Sequence, residues 1–122
     1  MKRAFAIVVV VIVVSICVMW FAPLSEIRFT LSNPEYESVT IGVFVDAGRC
    51  EPGEEDMIVV LGPQGNVIKD YHVRAGTHEI CCAWRFGSDD PSEPYSYATV
   101  HPLYVEVGLF GTEDLELTVF SA

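Results

Sequence analysis

The sequence predicts an all-β fold, an antiparallel two-layer β-sandwich of the jelly-roll or immunoglobulin-like kind, preceded by one N-terminal transmembrane helix. Three observations support it: an uncharged apolar run at the start, apolar residues that alternate with period two afterwards, and clusters of turn residues between the alternating stretches. The chain has 122 residues, enough for one modest core. We therefore divide it into a membrane anchor, residues 1–22, and a β domain, residues 23–122.

The first element is the apolar run over residues 4–22, which contains no charged residue. As a helix it spans about 28 Å, close to the hydrocarbon thickness of a bilayer. Lys2 and Arg3 precede the run and the next cation is Arg28, so the positive-inside rule predicts a cytoplasmic N-terminus and an exoplasmic β domain. An uncleaved anchor is favoured over a removed signal, because Pro23 disfavours cleavage at the end of the run.

The β domain contains eight short stretches, most of which alternate apolar and polar residues, and they predict seven or eight strands. In chain order they are EIRFTLS, SVTIGVFVD, DMIVVL, VIKDYHV, HEICCAWRF, YSYATV, LYVEVGLF and LELTVF. The uninterrupted apolar run DMIVVL is typical of a central strand. Turn sequences such as GPQGN and RAGT separate the stretches, which favours short antiparallel strands over helices.

The charge of the β domain limits its partners. Residues 23–122 keep five of the seven Lys and Arg and all 17 Asp and Glu, a formal charge of −12. Such a surface repels phosphate groups and anionic lipid headgroups, so nucleic acid is not an expected partner and the domain should stand off the membrane. Cations and basic proteins are the partners that this charge favours.

The segment VVLGPQGNVIKDYHVRAGTHEICCAW, residues 59–84, resembles the GOLD and bacterial pre-peptidase C-terminal jelly-roll modules. The resemblance depends on a PxG turn at Pro63 and Gly65, an apolar strand, and a second turn at Gly76. The segment departs from the GOLD pattern at His78, where an aromatic residue is expected. The resemblance implies an exoplasmic recognition or structural module and transfers no catalytic residue.

The N-terminus resembles archaeal pilins, in which cations precede a long apolar helix and a β-rich head. By that resemblance the chain would be cut after Ala4 and would be a filament subunit. Pilin helices usually continue well beyond the membrane-length stretch, whereas Pro23 and the strand-like EIRFTL end this one early. We therefore keep the filament subunit as an alternative.

The four cysteines and their neighbours allow two interpretations. Alternation along HEICCAWRF points Cys82 inward and Cys81 outward, and in an oxidising exterior Cys50 is a plausible disulfide partner for either. Alternatively, His72 and Glu79 face each other across the RAGT turn near Cys81, which would make a metal-binding or redox domain. No cofactor is expected on the disulfide interpretation, which we favour.

The loop DDPSEPYSY is the expected interaction site, because tyrosine favours interfaces and proline stiffens the chain around it. Its residues are Pro91, Pro94, Tyr95 and Tyr97. No motif supplies a nucleophile, a base or a phosphate-binding loop, so we do not expect an enzyme. The sequence thus predicts a single-pass, membrane-anchored, exoplasmic protein that binds or braces another protein, as an accessory subunit of a membrane or envelope assembly.

Overall fold

The computed structural model describes residues 2–87, 93–99 and 101–121. In chain order the elements are α1 (Lys2–Phe21), β1 (Ser25–Ser32), β2 (Val39–Val45), β3 (Met57–Leu61), β4 (Asn66–Val73), β5 (Gly76–Phe86), β6 (Tyr97–Ala98), β7 (Leu103–Val107) and β8 (Thr112–Thr118). The strands form two sheets, so the predicted β-sandwich with one N-terminal helix is confirmed.

Helix α1 is exposed along its whole length and is long and apolar enough to cross a membrane. Its many β-branched residues are weak helix formers in water. In a hydrocarbon environment a helix is nevertheless the favoured form, because every backbone polar group is then bonded within the segment. Ser15, the polar interruption, donates its hydroxyl to the carbonyl oxygen of Val11 at 2.8 Å. The predicted N-terminal apolar helix is confirmed, and its orientation stays a prediction.

The three-stranded sheet has the order β4-β1-β8, and the five-stranded sheet has the order β3-β2-β5, with β6 and β7 both on the far side of β5. All described pairs are antiparallel except β1 with β8, which run in the same direction. This exception arises because the chain changes sheets between β7 and β8. Strand β8 therefore lies beside the first strand rather than beside its predecessor.

Strand β3 corrects one expectation, because DMIVVL is an edge strand and not a central one. Val59 and Leu61 face the core, whereas Ile58 and Val60 are 54% and 62% exposed. The apolar run misled because β-branched residues also suit the exposed face of a strand, where their shape fits the pleated backbone. An apolar run therefore does not distinguish an edge from a centre.

The core lies between the sheets and consists mainly of residues that alternation predicts to face inward. Its fully buried members include Ile27, Phe29, Leu31, Ile41, Val43, Ile80, Cys82 and Val119. Strands β2 and β5 differ from the others, because their second face is buried as well. Something outside the two layers therefore covers the five-stranded sheet.

The sandwich has two distinct ends. Strands β1 and β8 both begin where the chain leaves α1, so Ser25 and the turn at residues 108–111 lie at what we name the helix-proximal end. The opposite, distal end contains the β1–β2 loop and the turn at residues 62–65, which are joined where Asn33 donates its N–H to the carbonyl oxygen of Gly65 at 2.8 Å.

Candidate functional site

The candidate site is the outer face of the five-stranded sheet, which two segments cover. We name residues 46–56 and 93–96 the loop cover. Beneath it, Phe44 and Ala83 have no exposed surface and Arg85 is 4% exposed, although these side chains point away from the core. The outer face of a sheet in a sandwich this small is ordinarily in water. Here it forms a second, smaller buried layer.

A disulfide between Cys50 and Cys81 fastens the loop cover to β5. The predicted disulfide of Cys50 is confirmed, and its partner is the cysteine that points outward. Cys82 points into the core, and burial raises the pKa of its thiol to about 12. Because the neutral thiol is the form present at physiological pH, Cys82 is a packing residue and not a reactive one.

Tyr95 joins the two parts of the loop cover. Its hydroxyl donates to Oε1 of Glu55 at 2.6 Å, and its ring meets Phe44 edge-on with centroids 6.2 Å apart. The guanidinium carbon of Arg85 lies 5.0 Å from the same ring centroid, within range of a cation–π contact. A Cβ on Gly42 would collide with the hydroxyl and lie 2.8 Å from Cζ of Tyr95, so the ring seats directly on the backbone of β2.

The charges under the loop cover support this arrangement. Burial, the hydrogen bond to Glu55 and its charge raise the pKa of Tyr95 to about 12, although Arg85 opposes them. Burial alone would raise the pKa of Glu55, but hydrogen bonds from Tyr95 and from the backbone of Gly53 bring it below its ordinary value. At neutral pH a neutral hydroxyl therefore donates to a carboxylate, which is a strong pairing.

Arg85 is the buried cation of the site. Its Nη1 donates to the carbonyl oxygen of Glu93 at 3.3 Å, which ties β5 to the second segment of the loop cover. Within the described part of the chain, Nε of Arg85 is buried without a hydrogen-bond partner. The guanidinium therefore contributes through its ring contact and its charge as well as through hydrogen bonds.

His78 forms a second buried polar group, at the start of β5. Its Nδ1 lies 2.7 Å from Oδ2 of Asp46 and its Nε2 lies 2.7 Å from the carbonyl oxygen of Arg74, both within hydrogen-bond distance. A carboxylate and a carbonyl only accept hydrogen bonds, so each ring nitrogen faces an acceptor. Burial would raise the pKa of Asp46, but hydrogen bonds from His78 and the backbone of Glu79 hold it below its ordinary value. The cluster closes the helix-proximal end of the five-stranded sheet.

The structure does not bring the metal candidates together. His72 lies on β4 in the three-stranded sheet, whereas Glu79 lies on β5 in the five-stranded sheet. The RAGT segment carries the chain from one sheet to the other, so the expected hairpin is not formed. Cys81 is bonded to Cys50. Within residues 2–87, 93–99 and 101–121, no group of three or more His, Cys, Asp or Glu is placed to hold a metal ion.

The predicted interaction residues are divided between two faces. Tyr95 covers the outer face of the five-stranded sheet, whereas Tyr97 stacks on Trp84 at 6.0 Å and packs against the core. Pro94 is exposed, and Pro91 lies outside the described residues. The two tyrosines therefore do not form one contact surface, and a role of either in partner binding stays a prediction.

Sequence reasoning missed four residues that build this site, namely Phe44, Asp46, Glu55 and Arg85. A signal was present for one of them, Phe44, and for the covered face of β5 in general. The stretches VFV in β2 and CCAW in β5 have apolar residues at both odd and even positions, a pattern that indicates a strand covered on both faces. The polar members left no comparable signal, because their roles depend on contacts between distant segments.

No family model, curated protein or solved structure matches the chain. The resemblances to jelly-roll modules and to archaeal pilins therefore stay expectations from the residues that suggested them.

Proposed function

We propose that the chain is a single-pass, membrane-anchored protein whose exoplasmic β-sandwich is a non-catalytic interaction module, an accessory subunit of a membrane or envelope assembly. The observation that carries this proposal is the loop cover, fastened by the Cys50–Cys81 disulfide and by the contacts of Tyr95. A surface held in this way is already ordered before a partner arrives, which lowers the entropy cost of binding.

The compartment follows from two features. Helix α1 supplies an apolar segment of membrane-spanning length, and Lys2 and Arg3 at its start favour a cytoplasmic N-terminus. Disulfides form and persist outside the cytosol, so the bond between Cys50 and Cys81 agrees with an exoplasmic β domain. The two features are independent, since the first concerns membrane topology and the second concerns redox chemistry, and both favour the same compartment.

The chemistry of the loop cover indicates a basic partner. Its acidic residues include Glu51, Glu54, Asp56 and Glu93, and the cation Arg49 is already paired with Glu51 at 2.9 Å. An acidic surface of fixed shape attracts a positively charged protein surface and accelerates their association. We therefore place the contact on the loop cover, with Tyr95 as its internal brace.

Co-purification from native membranes in mild detergent tests the proposal. The full chain is compared with a Glu51→Lys, Glu54→Lys variant and with a matched control, Glu113→Lys, Glu116→Lys, which makes the same charge change on β8. We expect the loop variant to lose the partner and the β8 control to retain it. Equal capture by both variants would refute the placement, and loss by both would indicate that only overall charge matters.

The same preparation separates this proposal from its alternatives. An N-terminus beginning at or near Met1 supports the uncleaved anchor, whereas cleavage after Ala4 would support a filament subunit. Stoichiometric metal in the purified protein would revive the metal-binding alternative, which depends on His72, Glu79 and Cys81. Any of these outcomes is visible by mass spectrometry or metal analysis.

A further inference from the structure

The turn between β7 and β8 presents apolar side chains to solvent. Phe110 is 62% exposed, Leu109 is half-buried, and Leu24, which follows α1, is 42% exposed. Residues 108–112, GLFGT, contain no charge, in a β domain that is otherwise strongly acidic. The domain exposes other apolar side chains, such as Val60 and Ile68, but this turn combines an exposed phenylalanine with an uncharged segment next to the end of α1.

Hydrogen bonds fasten this turn to the first residues after the helix. Ser25 donates its hydroxyl to the carbonyl oxygen of Gly108 at 2.7 Å, and Glu26 donates its N–H to that of Gly111 at 3.0 Å. Four Cα steps separate Ser25 from Phe21, the last residue of α1, a reach of at most about 14 Å. The turn therefore stays close to the end of the helix whatever angle the domain adopts.

A second turn of the same construction provides an internal comparison. Residues 62–65 and 108–111 both begin and end with glycine, and in each the last N–H donates to the first carbonyl oxygen, at 3.0 and 2.9 Å. The third residue has a positive φ in both, 56° at Gln64 and 59° at Phe110, as in a type II turn. That position favours glycine or asparagine, and a bulky aromatic residue there is an outlier.

The two turns lie at opposite ends of the sandwich. Gln64, at the distal end, is an exposed polar residue. Phe110, at the helix-proximal end, keeps a strained conformation without gaining burial inside the domain. A residue that keeps a strained backbone conformation while its side chain gains no packing inside the domain points to a role outside the fold.

We infer that the β7–β8 turn rests on the outer surface of the bilayer, with Phe110 and Leu109 in the boundary between headgroups and acyl chains. There they extend the aromatic end of α1, Trp20 and Phe21, since aromatic side chains favour this interface. The inference depends on the proposed membrane anchor. It gives the domain a second contact with the membrane and so fixes its tilt.

The acidic residues around the turn set the kind of lipid. Glu26, Glu106 and Glu113 flank the apolar tip and would be repelled by anionic headgroups. The sequence-based expectation that the domain stands off the membrane thus applies to its charged surface and not to this tip. A zwitterionic surface suits the contact, and added anionic lipid weakens it.

Depth measurements on the full-length chain in phosphatidylcholine vesicles test the inference. An environment-sensitive fluorophore is attached to Phe110→Cys, or to the matched turn position Gln64→Cys, in a Cys17→Ser background. Cys82 is buried and Cys50 and Cys81 are bonded, so the label reports the introduced site. We expect blue-shifted emission and quenching by lipid nitroxides at position 110 and neither at position 64. Added phosphatidylglycerol should reduce the shift at position 110.

Two further measurements separate the possible failures. A label at Val10→Cys reports whether α1 lies in the bilayer. Lipid contact at position 10 combined with a water-exposed label at position 110 would overturn the inference and leave the membrane anchor intact. A water-exposed label at position 10 would overturn the anchor as well. Phe110→Asn should keep or raise the thermal midpoint, since asparagine suits a positive φ better than phenylalanine does, and a lowered midpoint would indicate packing within the fold instead.

Discussion

The outer faces of the two sheets are used in opposite ways. On the three-stranded sheet the outward side chains are exposed or half-buried and, apart from Ile68, polar, and Arg28 of β1 lies between Asp70 of β4 and Asp114 of β8. On the five-stranded sheet the outward side chains of β2 and of the second half of β5 are buried, Phe44, Ala83 and Arg85 among them, and Arg85 is the cation there. One face is thus a solvated surface, and the other is an additional packed layer.

The difference shows how a small domain enlarges its buried volume. A sandwich of about a hundred residues has a limited core, and a disulfide-fastened loop over one outer face adds buried apolar surface without another strand. The same device leaves ordered loop residues on the outside. We therefore expect mutations on the covered face to affect stability, and equivalent mutations on the open face to have little effect.

The largest loss of stability is expected when the disulfide is removed. Replacing Cys50 and Cys81 with alanine releases a loop closed across 31 residues, which should lower the free energy of unfolding by about 3 to 4 kcal/mol in the chain-entropy model. Chemical denaturation of the oxidised protein and the double variant measures this. Cys17→Ser, in the helix, is the control and should change nothing. An unchanged midpoint in the double variant would mean that the loop cover is held mainly by its side-chain contacts.

A smaller loss of stability is expected when the ring of Tyr95 is removed. Tyr95→Ala takes away the ring that packs on Gly42 and Phe44, and should cost about 2 kcal/mol of stability for a half-buried aromatic residue. Tyr36→Ala is the matched control, because Tyr36 is 81% exposed. Denaturation midpoints compare the two. Equal losses in both variants would contradict the distinction between a covered and an open surface.

The carboxylate of Asp46, which contacts His78, should make the stability of the domain depend on pH in the acid range. The pKa of Asp46 is lowered in the folded state, so its contribution is present above its ordinary value of 3.8 and is lost as the pH falls through the lower folded pKa. The stability difference between the native chain and Asp46→Asn should therefore shrink on acidification. Denaturation at a series of pH values measures it, and a difference that grows at low pH would reverse the assigned sign.

The ion pair of the open sheet should give the smallest effect. Nε of Arg28 donates to Oδ1 of Asp70 at 2.9 Å, but both side chains are more than 40% exposed, at 44% and 43%. Exposed pairs contribute little and are screened by salt. Arg28→Met should leave the denaturation midpoint within error at physiological ionic strength. A clear loss that persists in high salt would show that this face is packed against something.

The sequence by itself determined the features that depend on local pattern. Apolar residues recur every second position in β1, β2 and β5, and that spacing defined which side chains enter the core, including Cys82, and which point outward, including Cys81. The uncharged apolar run, which makes up most of α1, was equally predictable, because a helix of that composition can be recognised without knowing which segments surround it. Periodicity and hydropathy are properties of neighbours in the chain, so they can be read without a fold.

Only the tertiary structure decided how distant segments meet. Cys50 pairs with Cys81 rather than Cys82 because its loop folds over the outer face of β5. Strand β3 is an edge because, among the described strands, it pairs with β2 alone, while the other side of β2 pairs with β5. His72 and Glu79 separate because the turn between them crosses from one sheet to the other. Such outcomes depend on strand order and on which loops return across a sheet. Strand order depends on packing free energy summed over the whole domain, whereas local spacing specifies only the direction of each side chain.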